Sequence, residues 1–132
     1  MFSKRFSKLT SATSESACGT RPNCVCSVCS PENSHFIEPL AGLGPSPIET
    51  LTETVTSMDR VKIVARDDGY LHVEFRSALL GFVDDVEFVV DGEVTHVRSA
   101  SRVGYGDHEV NRKRVEEIRQ RVNDRTSKGN EA

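Results

Sequence analysis

The sequence predicts an α+β fold, in which a four-stranded antiparallel sheet is flanked by one helix before it and one after it. The sheet is predicted because two stretches alternate apolar and polar residues on both sides of a glycine-containing turn, at Asp67–Gly69 and at Asp91–Gly92. The helices are predicted because apolar residues recur every three to four positions on either side of these hairpins. With the order α-β-β-β-β-α, stacking both helices on the sheet as a two-layer sandwich buries every apolar face.

The 132-residue chain is expected to divide into an irregular N-terminal segment, one folded domain and a short tail. Residues 1–44 contain the four cysteines and are expected to be poorly structured. Residues 1–20 are rich in Ser, Thr and Lys and show no apolar periodicity that could offset the entropy of ordering them. Residues 45–124 hold every predicted helix and strand and are expected to form a single α+β domain. Residues 125–132 are expected to fray.

The first helix is predicted to begin at a capping box. Ser46 and Glu49 have the required spacing, and Pro47 stands at the first helical position. Threonines at alternate positions weaken helix propensity, so packing against the sheet must stabilise this helix. Its apolar stripe is formed by Ile48, Leu51, Val55 and Met58.

The first hairpin is predicted to close with a three-residue loop, Asp67-Asp68-Gly69, in which Gly69 is left-handed. A two-residue loop would mix the two faces, so the parity of the side chains favours the longer one. The expected register pairs Val61 with Phe75, Ile63 with Val73, Ala65 with Leu71, and Lys62 with Glu74.

The second hairpin is predicted to turn at Asp91-Gly92. Two-residue closure at this point pairs Glu87 with His96 and Asp85 with Arg98, two pairs of complementary charge on one face. Such pairs are better evidence of register than of function. Four residues are therefore expected to form a structural polar network: Asp84, Asp85, Glu87 and His96.

The last helix is predicted from about Asp107 or His108 to Asn123. Acidic residues near its start suit the positive end of the helix dipole. Most of its other exposed positions are basic, and its apolar stripe consists of Val115, Ile118 and Val122.

Composition excludes several classes of protein. The net charge of −3 argues against a general nucleic-acid binder. No apolar run approaches the ~20 residues that a membrane helix needs. Lys4, Arg5 and Lys8 are similar to the start of an export signal, but no apolar stretch follows them. A cytoplasmic location is therefore expected, with an exported or envelope location as the alternative if a leader is missing from this start.

Five stretches of the sequence together carry a family resemblance: Arg21–Val25, Tyr70–His72, Gly81–Phe88, Arg98–Tyr105 and Asn111–Glu116. The most specific signature among them is an RSASR-x-GY run followed by NRKRVE. These stretches resemble the family known as domain of unknown function 1499. The resemblance implies one intact domain over about residues 21–122, without an activity, and relatives that often carry a signal sequence or membrane helix before the first stretch.

The four cysteines form the first candidate site, with the spacing C-x5-C-x-C-x2-C: Cys18, Cys24, Cys26 and Cys29. Four thiolates on one short segment could hold a zinc ion or an iron–sulfur cluster. Only Cys26 and Cys29 have the spacing of a zinc knuckle, however, so reduced thiols without a ligand are the favoured interpretation. Disulfides are the third possibility, if the chain is exported.

A second candidate site is polar and lies where the second hairpin ends and the last helix begins. If that helix lies across the sheet, guanidinium groups, hydroxyls and helix-start amides converge and could bind a carboxylate or phosphate. In the alternative interpretation, Asp84 and Asp85 neutralise these arginines and attach the helix to the sheet. The candidate ligand-binding residues are Arg98, Ser99, Ser101, Arg102, Asn111, Arg112 and Arg114.

These observations favour a small non-enzymatic binding or interaction domain that takes an anionic small molecule or a protein partner and needs no cofactor. The alternative is a metal-binding or redox protein that uses the cysteines. A hydrolase or isomerase ranks last, because it depends only on His96 beside Glu87. No nucleophile and no phosphate-binding loop accompanies that pair.

Overall fold

A computed structural model describes residue 18, residues 23–103 and residues 109–131, with side chains up to residue 127. In these residues the strands of the sheet pair antiparallel, and an isolated parallel bridge joins Cys26 to Phe36. The sheet has the order β1-β6-β5-β4-β3, with β2 also paired to β6. The elements are β1 (Cys24–Cys26), β2 (Leu40–Ala41), α1 (Pro47–Thr56), β3 (Val61–Asp67), β4 (Tyr70–Arg76), β5 (Val83–Asp91), β6 (Val94–Ser101) and α2 (Glu109–Glu131).

The α+β architecture is confirmed, but the sheet has six strands and not the predicted four. The two additional strands come from residues 24–41 and pair with β6, with Cys24 opposite Ala100 and Leu40 opposite Thr95. Along the described residues the order is therefore β-β-α-β-β-β-β-α. Strands β1 and β2 cover the backbone groups that β6 would otherwise leave unpaired at the sheet edge. Residues 1–17 and 19–22 of the predicted irregular segment lie outside the described part of the chain.

Helix α1 buries Ile48, Leu51 and Val55 of the predicted apolar stripe, whereas Met58 lies beyond the end of the helix and is partly buried. The predicted cap is wrong. Ser46 makes no side-chain hydrogen bond to the helix N-terminus. The helix accommodates its threonines because their hydroxyls donate to carbonyl oxygens four residues earlier, as Thr54 does to Thr50 at 2.8 Å. Helix α2 ends at Glu131, beyond the predicted Asn123, and the predicted start at Asp107 or His108 lies outside the described residues.

The first hairpin has the predicted register at its open end and a different one near its turn. Val61 lies opposite Phe75, and Ile63 lies opposite Val73. An irregularity between Ile63 and Ala65 then places Ala65 opposite His72 instead of the predicted Leu71. This bulge adds one residue to β3, so only two residues are left for the turn.

The second hairpin is shifted by two residues from its predicted register. Asp91 lies opposite Val94, so the turn consists of Gly92 and Glu93. Gly92 has a φ of 63°, which fits the left-handed first position of a type II′ turn. Glu87 is therefore opposite Arg98, and the predicted Glu87–His96 and Asp85–Arg98 pairs are wrong. A shift of two residues changes the partners but keeps every side chain on its face.

One apolar core lies between the sheet and the two helices. It includes Leu71, Val86, Phe88 and Val97 from the strands, together with the apolar stripes of both helices. The N-terminal segment also contributes to this core through Val25, Ile37, Leu40 and Leu43. In the described part of the chain, neither helix combines the length and apolar character that crossing a bilayer requires.

Candidate functional site

The outer face of the sheet, which points away from the helices, carries a chain of charged contacts around Asp85. Arg102 donates from Nε and Nη2 to Asp85 at 2.8 and 3.0 Å, and from Nη2 to Glu74 at 2.6 Å. His72 Nε2 lies 2.8 Å from Asp85 Oδ1. Burial raises the pKa of Asp85, but the hydrogen bonds from Arg102 and His72 outweigh it and hold this pKa below its ordinary value of 3.8. The same contacts raise the pKa of Arg102.

These contacts predict that stability depends on pH through Asp85. Because the folded-state pKa is lowered, the ionised carboxylate contributes stability above the unfolded pKa and loses it as pH falls through the folded pKa. We expect the free energy of unfolding of the wild type to decline below about pH 4, and Asp85→Asn to show a shallower decline. Urea unfolding across this range measures the effect. Asp124→Asn, on the exposed surface of α2, should keep the wild-type slope, and an equally steep decline in Asp85→Asn would contradict the assignment.

A second ion pair on the outer face is buried. Arg98 Nη1 lies 3.4 Å from Glu87 Oε1, and the two side chains are 10% and 6% exposed. The hydroxyl of Tyr70 donates to Glu87 Oε2 at 2.7 Å. Charges this well buried must be paired and hydrogen-bonded, so this network has the properties of a structural contact between β4, β5 and β6.

On the inner face, which points toward the helices, Asn111 connects the start of α2 to β6 and to the residue before β1. Its side chain is fully buried. The Ser99 hydroxyl donates to Asn111 Oδ1 at 2.6 Å, and Asn111 Nδ2 donates to the Asn23 carbonyl at 3.0 Å and to Ser101 Oγ at 3.1 Å. These bonds hold the helix against β6 and against the residue that precedes β1.

The two remaining predicted arginines also have partners. Arg114 Nη1 contacts Asp84 Oδ2 at 2.5 Å, and its guanidinium lies 4.9 Å from the centroid of the Phe75 ring. Arg112 donates to the carbonyl oxygens of Phe36 and Ser34, each at 2.9 Å. Arg112 thus attaches α2 to the N-terminal segment.

The predicted polar site is therefore divided between the two faces of the sheet. Ser99, Ser101 and Asn111 come together on the inner face, whereas Arg98 and Arg102 pair with carboxylates on the outer face. The predicted polar network is not a single network, because different partners contact its four residues: Asp84, Asp85, Glu87 and His96.

His96 does not pair with Glu87. Its Nδ1 lies 2.9 Å from Ser27 Oγ, and its Nε2 lies 3.6 Å from Asp91 Oδ2. Ser27 also accepts a hydrogen bond from the backbone N–H of Val97 at 2.9 Å, and it is buried. A serine hydroxyl in this position holds β1 to β6 and is poorly placed to attack a substrate.

The cysteines form two disulfides, Cys18–Cys24 and Cys26–Cys29, so the favoured interpretation as reduced thiols is wrong. The sulfur atoms of Cys18, Cys26 and Cys29 lie within 4.8 Å of one another. Zinc and iron–sulfur clusters bind cysteine as the thiolate. Only the reduced chain could therefore use these residues as metal ligands.

Sequence analysis missed a cavity of about 240 Å³ near the start of β3, the end of β4 and the face of α2, called the basic cavity below. In the described part of the chain, neither Arg60 nor Arg76 pairs with a carboxylate. Arg60 Nε donates to the Arg76 carbonyl at 3.1 Å, and Arg76 Nη1 donates to the Gly81 carbonyl at 3.0 Å. The charged residues that line the basic cavity are Asp59, Arg60, Arg76, Arg114, Glu117 and Arg121.

Arg60 has an unusual backbone conformation. Its φ is 57°, and in the described residues it is the one non-glycine residue with a positive φ. Such a conformation costs about 1–3 kcal/mol and persists where surrounding contacts enforce it. The Arg60 carbonyl accepts from the Arg76 backbone N–H at 3.0 Å, so the backbone and side chain of Arg60 are both held by Arg76. No sequence signal marks this position, because arginine has no preference for the left-handed region.

A larger cavity of about 390 Å³ lies at the N-terminus of α1. Among the described residues, its lining contains three acids, Glu49, Asp67 and Asp68, and one basic residue, Arg66. This balance of charge disfavours an anion, so the basic cavity is the better candidate.

A family model described as "Protein of unknown function (DUF1499)" matches residues 16–122. No curated protein and no solved structure gives a significant match.

Proposed function

The chain belongs to the DUF1499 family of proteins of unknown function, and we propose that it is a non-enzymatic binding domain that holds an anionic group in the basic cavity. The group is a phosphate or a carboxylate, presented by a small molecule or by a larger partner. Of the arginines predicted from the sequence to bind an anion, Arg114 lines this cavity.

The observation that carries the proposal is the pair of arginines without carboxylate partners. Each guanidinium uses one donor on a backbone carbonyl, Arg60 through Nε and Arg76 through Nη1. The other donors have no partner in the described residues. Because arginine offers a planar fork of donors that matches carboxylate and phosphate oxygens, two such side chains beside one cavity favour an anion.

Charge and size agree with a small anionic group. Four arginines face two acids in the lining, and Glu117 is already paired with Arg121 at 3.0 Å. When Asp84, which pairs with Arg114, is counted as a third acid, the four arginines still leave one positive charge in excess. The cavity is smaller than the ~300–1,000 Å³ of sites for drug-sized ligands, so it suits one anionic group and not a large molecule.

We expect inorganic pyrophosphate to stabilise the oxidised wild type, and the double variant Arg60→Gly/Arg76→Gln to abolish this effect. At a ligand concentration about ten times Kd, linkage predicts a gain of about 1.4 kcal/mol, or a few degrees in Tm. Arg60→Gly removes a guanidinium and relieves the left-handed strain, so this variant should lose ligand response without losing basal stability. Thermal unfolding in pyrophosphate, against sodium chloride of equal ionic strength, makes the measurement.

Arg125→Gln is the matched control, because Arg125 is an exposed arginine of α2 that contacts Glu53 outside the cavity. It should respond to pyrophosphate as the wild type does. A wild type without a response at matched ionic strength would contradict the proposal. So would an undiminished response in the double variant.

The disulfides support a related proposal about location. Disulfides persist in oxidising compartments and are rare in reducing ones. All four cysteines are buried and paired. We therefore favour the exported or envelope alternative over the expected cytoplasmic location.

A further inference from the structure

The loop between β4 and β5 exposes large apolar side chains at its tip. This segment, residues 77–82, is called the apolar loop below. Leu79 is 94% exposed, Leu80 is 71% exposed and Phe82 is 49% exposed. Isolated apolar residues are common on protein surfaces, but three within four positions form a patch that marks an interaction site.

The apolar loop is an ordered structure that holds these side chains outward. The Ser77 backbone N–H donates to the Phe82 carbonyl at 2.9 Å, and the Phe82 backbone N–H donates to Ser77 Oγ at 2.9 Å. Gly81 has a φ of 68°, which only glycine adopts without strain. The loop is therefore closed at its base, and its tip cannot fold back onto the core without breaking these bonds.

The two arginines without carboxylate partners lie at the base of the apolar loop. Arg76 precedes the loop and donates to the carbonyl of Gly81 within it at 3.0 Å. Arg60 is attached to Arg76 by hydrogen bonds in both directions. The positively charged side chains of Arg60 and Arg76 therefore lie next to the apolar tip, on the side of the loop that joins the domain.

We propose that this end of the domain docks on an anionic lipid bilayer, with the apolar loop inserted at the boundary between headgroups and acyl chains. Leu79 and Leu80 enter the apolar layer, and Arg60 and Arg76 bind lipid phosphates. The inference rests on the proposed function, since it names the lipid headgroup as the anion of the basic cavity. Peripheral proteins combine these two contributions, because neither a small apolar insertion nor a few basic residues alone gives stable attachment.

A bilayer fits this surface better than a protein partner does. A stable protein interface buries about 800 Å² on each side and has a flat or complementary apolar centre. The apolar loop is a narrow protrusion, and it would need a matching pocket in a partner. A bilayer surrounds a protruding side chain without shape complementarity, and its lipid phosphates complement the charge of Arg60 and Arg76.

A tryptophan reporter tests the insertion directly, because the chain contains no tryptophan. Leu79→Trp in the oxidised full chain should shift its fluorescence to the blue with vesicles of phosphatidylglycerol and phosphatidylcholine. Acyl-chain-brominated phosphatidylglycerol should quench it. Vesicles of phosphatidylcholine alone should give little response, since they carry no net negative charge.

Two variants separate the insertion from the headgroup contact. Leu79→Ser/Leu80→Ser should lower vesicle affinity in co-sedimentation by at least about tenfold while keeping the response to pyrophosphate. Arg60→Gly/Arg76→Gln should lower it by about thirtyfold and lose the pyrophosphate response. The matched control Val64→Ser/Val110→Ser removes two exposed apolar residues elsewhere and should bind vesicles as the wild type does.

The outcomes distinguish the two proposals. If the wild type responds to pyrophosphate but the tryptophan reporter shows no shift with anionic vesicles, the docking inference fails and the anion site stands. If vesicle binding depends on the leucines but not on the arginines, the basic cavity does not bind the lipid headgroup, and that part of the proposal is wrong. Self-association that Leu79→Ser/Leu80→Ser abolishes, without vesicle binding, would overturn the bilayer in favour of a second copy of the chain.

Discussion

Asn111→Ala is expected to lower the free energy of unfolding by about 3 kcal/mol. The substitution removes three hydrogen bonds and leaves the hydroxyl of Ser99, which is 0% exposed, without its acceptor. An unsatisfied buried polar group costs about 1–3 kcal/mol, and the shortened side chain also leaves a cavity. The start of α2 should then detach from β6. Urea unfolding should show the loss as a lower midpoint with an unchanged m-value.

Asn123→Ala provides the control on the same helix. Asn123 is exposed, so the same substitution there should change stability by no more than about 0.5 kcal/mol. Ser99→Ala combined with Asn111→Ala should cost less than the sum of the single variants, because the two side chains share one hydrogen bond. Additive losses, or an Asn111→Ala protein as stable as the wild type, would show that Asn111 does not join helix and sheet.

The two hairpins could be predicted because their signals are local. Alternating apolar residues and a glycine turn lie within about twenty residues. In the second hairpin the side-chain parity assigned each residue to the correct face, whereas the bulge in β3 places Ala65 opposite His72 and not opposite Leu71. The partners were harder to predict, because parity allows shifts of two residues. In the second hairpin, Gly92 occupies the first and not the second position of the turn, and this placement moves Arg98 from Asp85 to Glu87.

Strands β1 and β2 could not be predicted, because their stabilising partner is distant in the sequence. Cys24 pairs with Ala100 and Leu40 with Thr95. Strands of three and two residues are too short to show alternation. Val25 and Ile37 are isolated along the chain, and the core that they join is built from residues distant in sequence, among them Val97 of β6 and Val115 of α2.

The polar residues of the candidate site were recognised from the sequence, but their grouping was not. Sequence analysis treated the arginines as one cluster because they are close along β6 and α2. Successive residues of a strand point to opposite faces, however, so Arg98 and Ser99 cannot share a pocket. Arg60 gave no signal, since its role depends on a left-handed backbone and on Arg76, sixteen residues away.

Loss of both disulfides is expected to lower the free energy of unfolding by about 4 kcal/mol. Each disulfide joins a residue of β1 to a nearby residue, at separations of 6 and 3 in sequence. Loops of this size contribute about 2 kcal/mol each by restricting the unfolded chain. The disulfides also keep Cys24 and Cys26 in the strand that covers the edge of β6. Unfolding of the oxidised protein and of a quadruple Cys→Ser variant measures the combined effect.

Thiol chemistry checks the same assignment without a mutation. In the oxidised native protein, a thiol reagent should label none of the four cysteines, and mass spectrometry should show two hydrogens fewer for each disulfide. The paired variants Cys18→Ser/Cys24→Ser and Cys26→Ser/Cys29→Ser should each show about half of the loss expected for the quadruple variant, because each removes one complete disulfide. Four reactive thiols in protein purified under oxidising conditions would overturn the pairing. A zinc ion bound by those thiols would restore the metal-binding interpretation, since thiolates and not disulfides coordinate zinc.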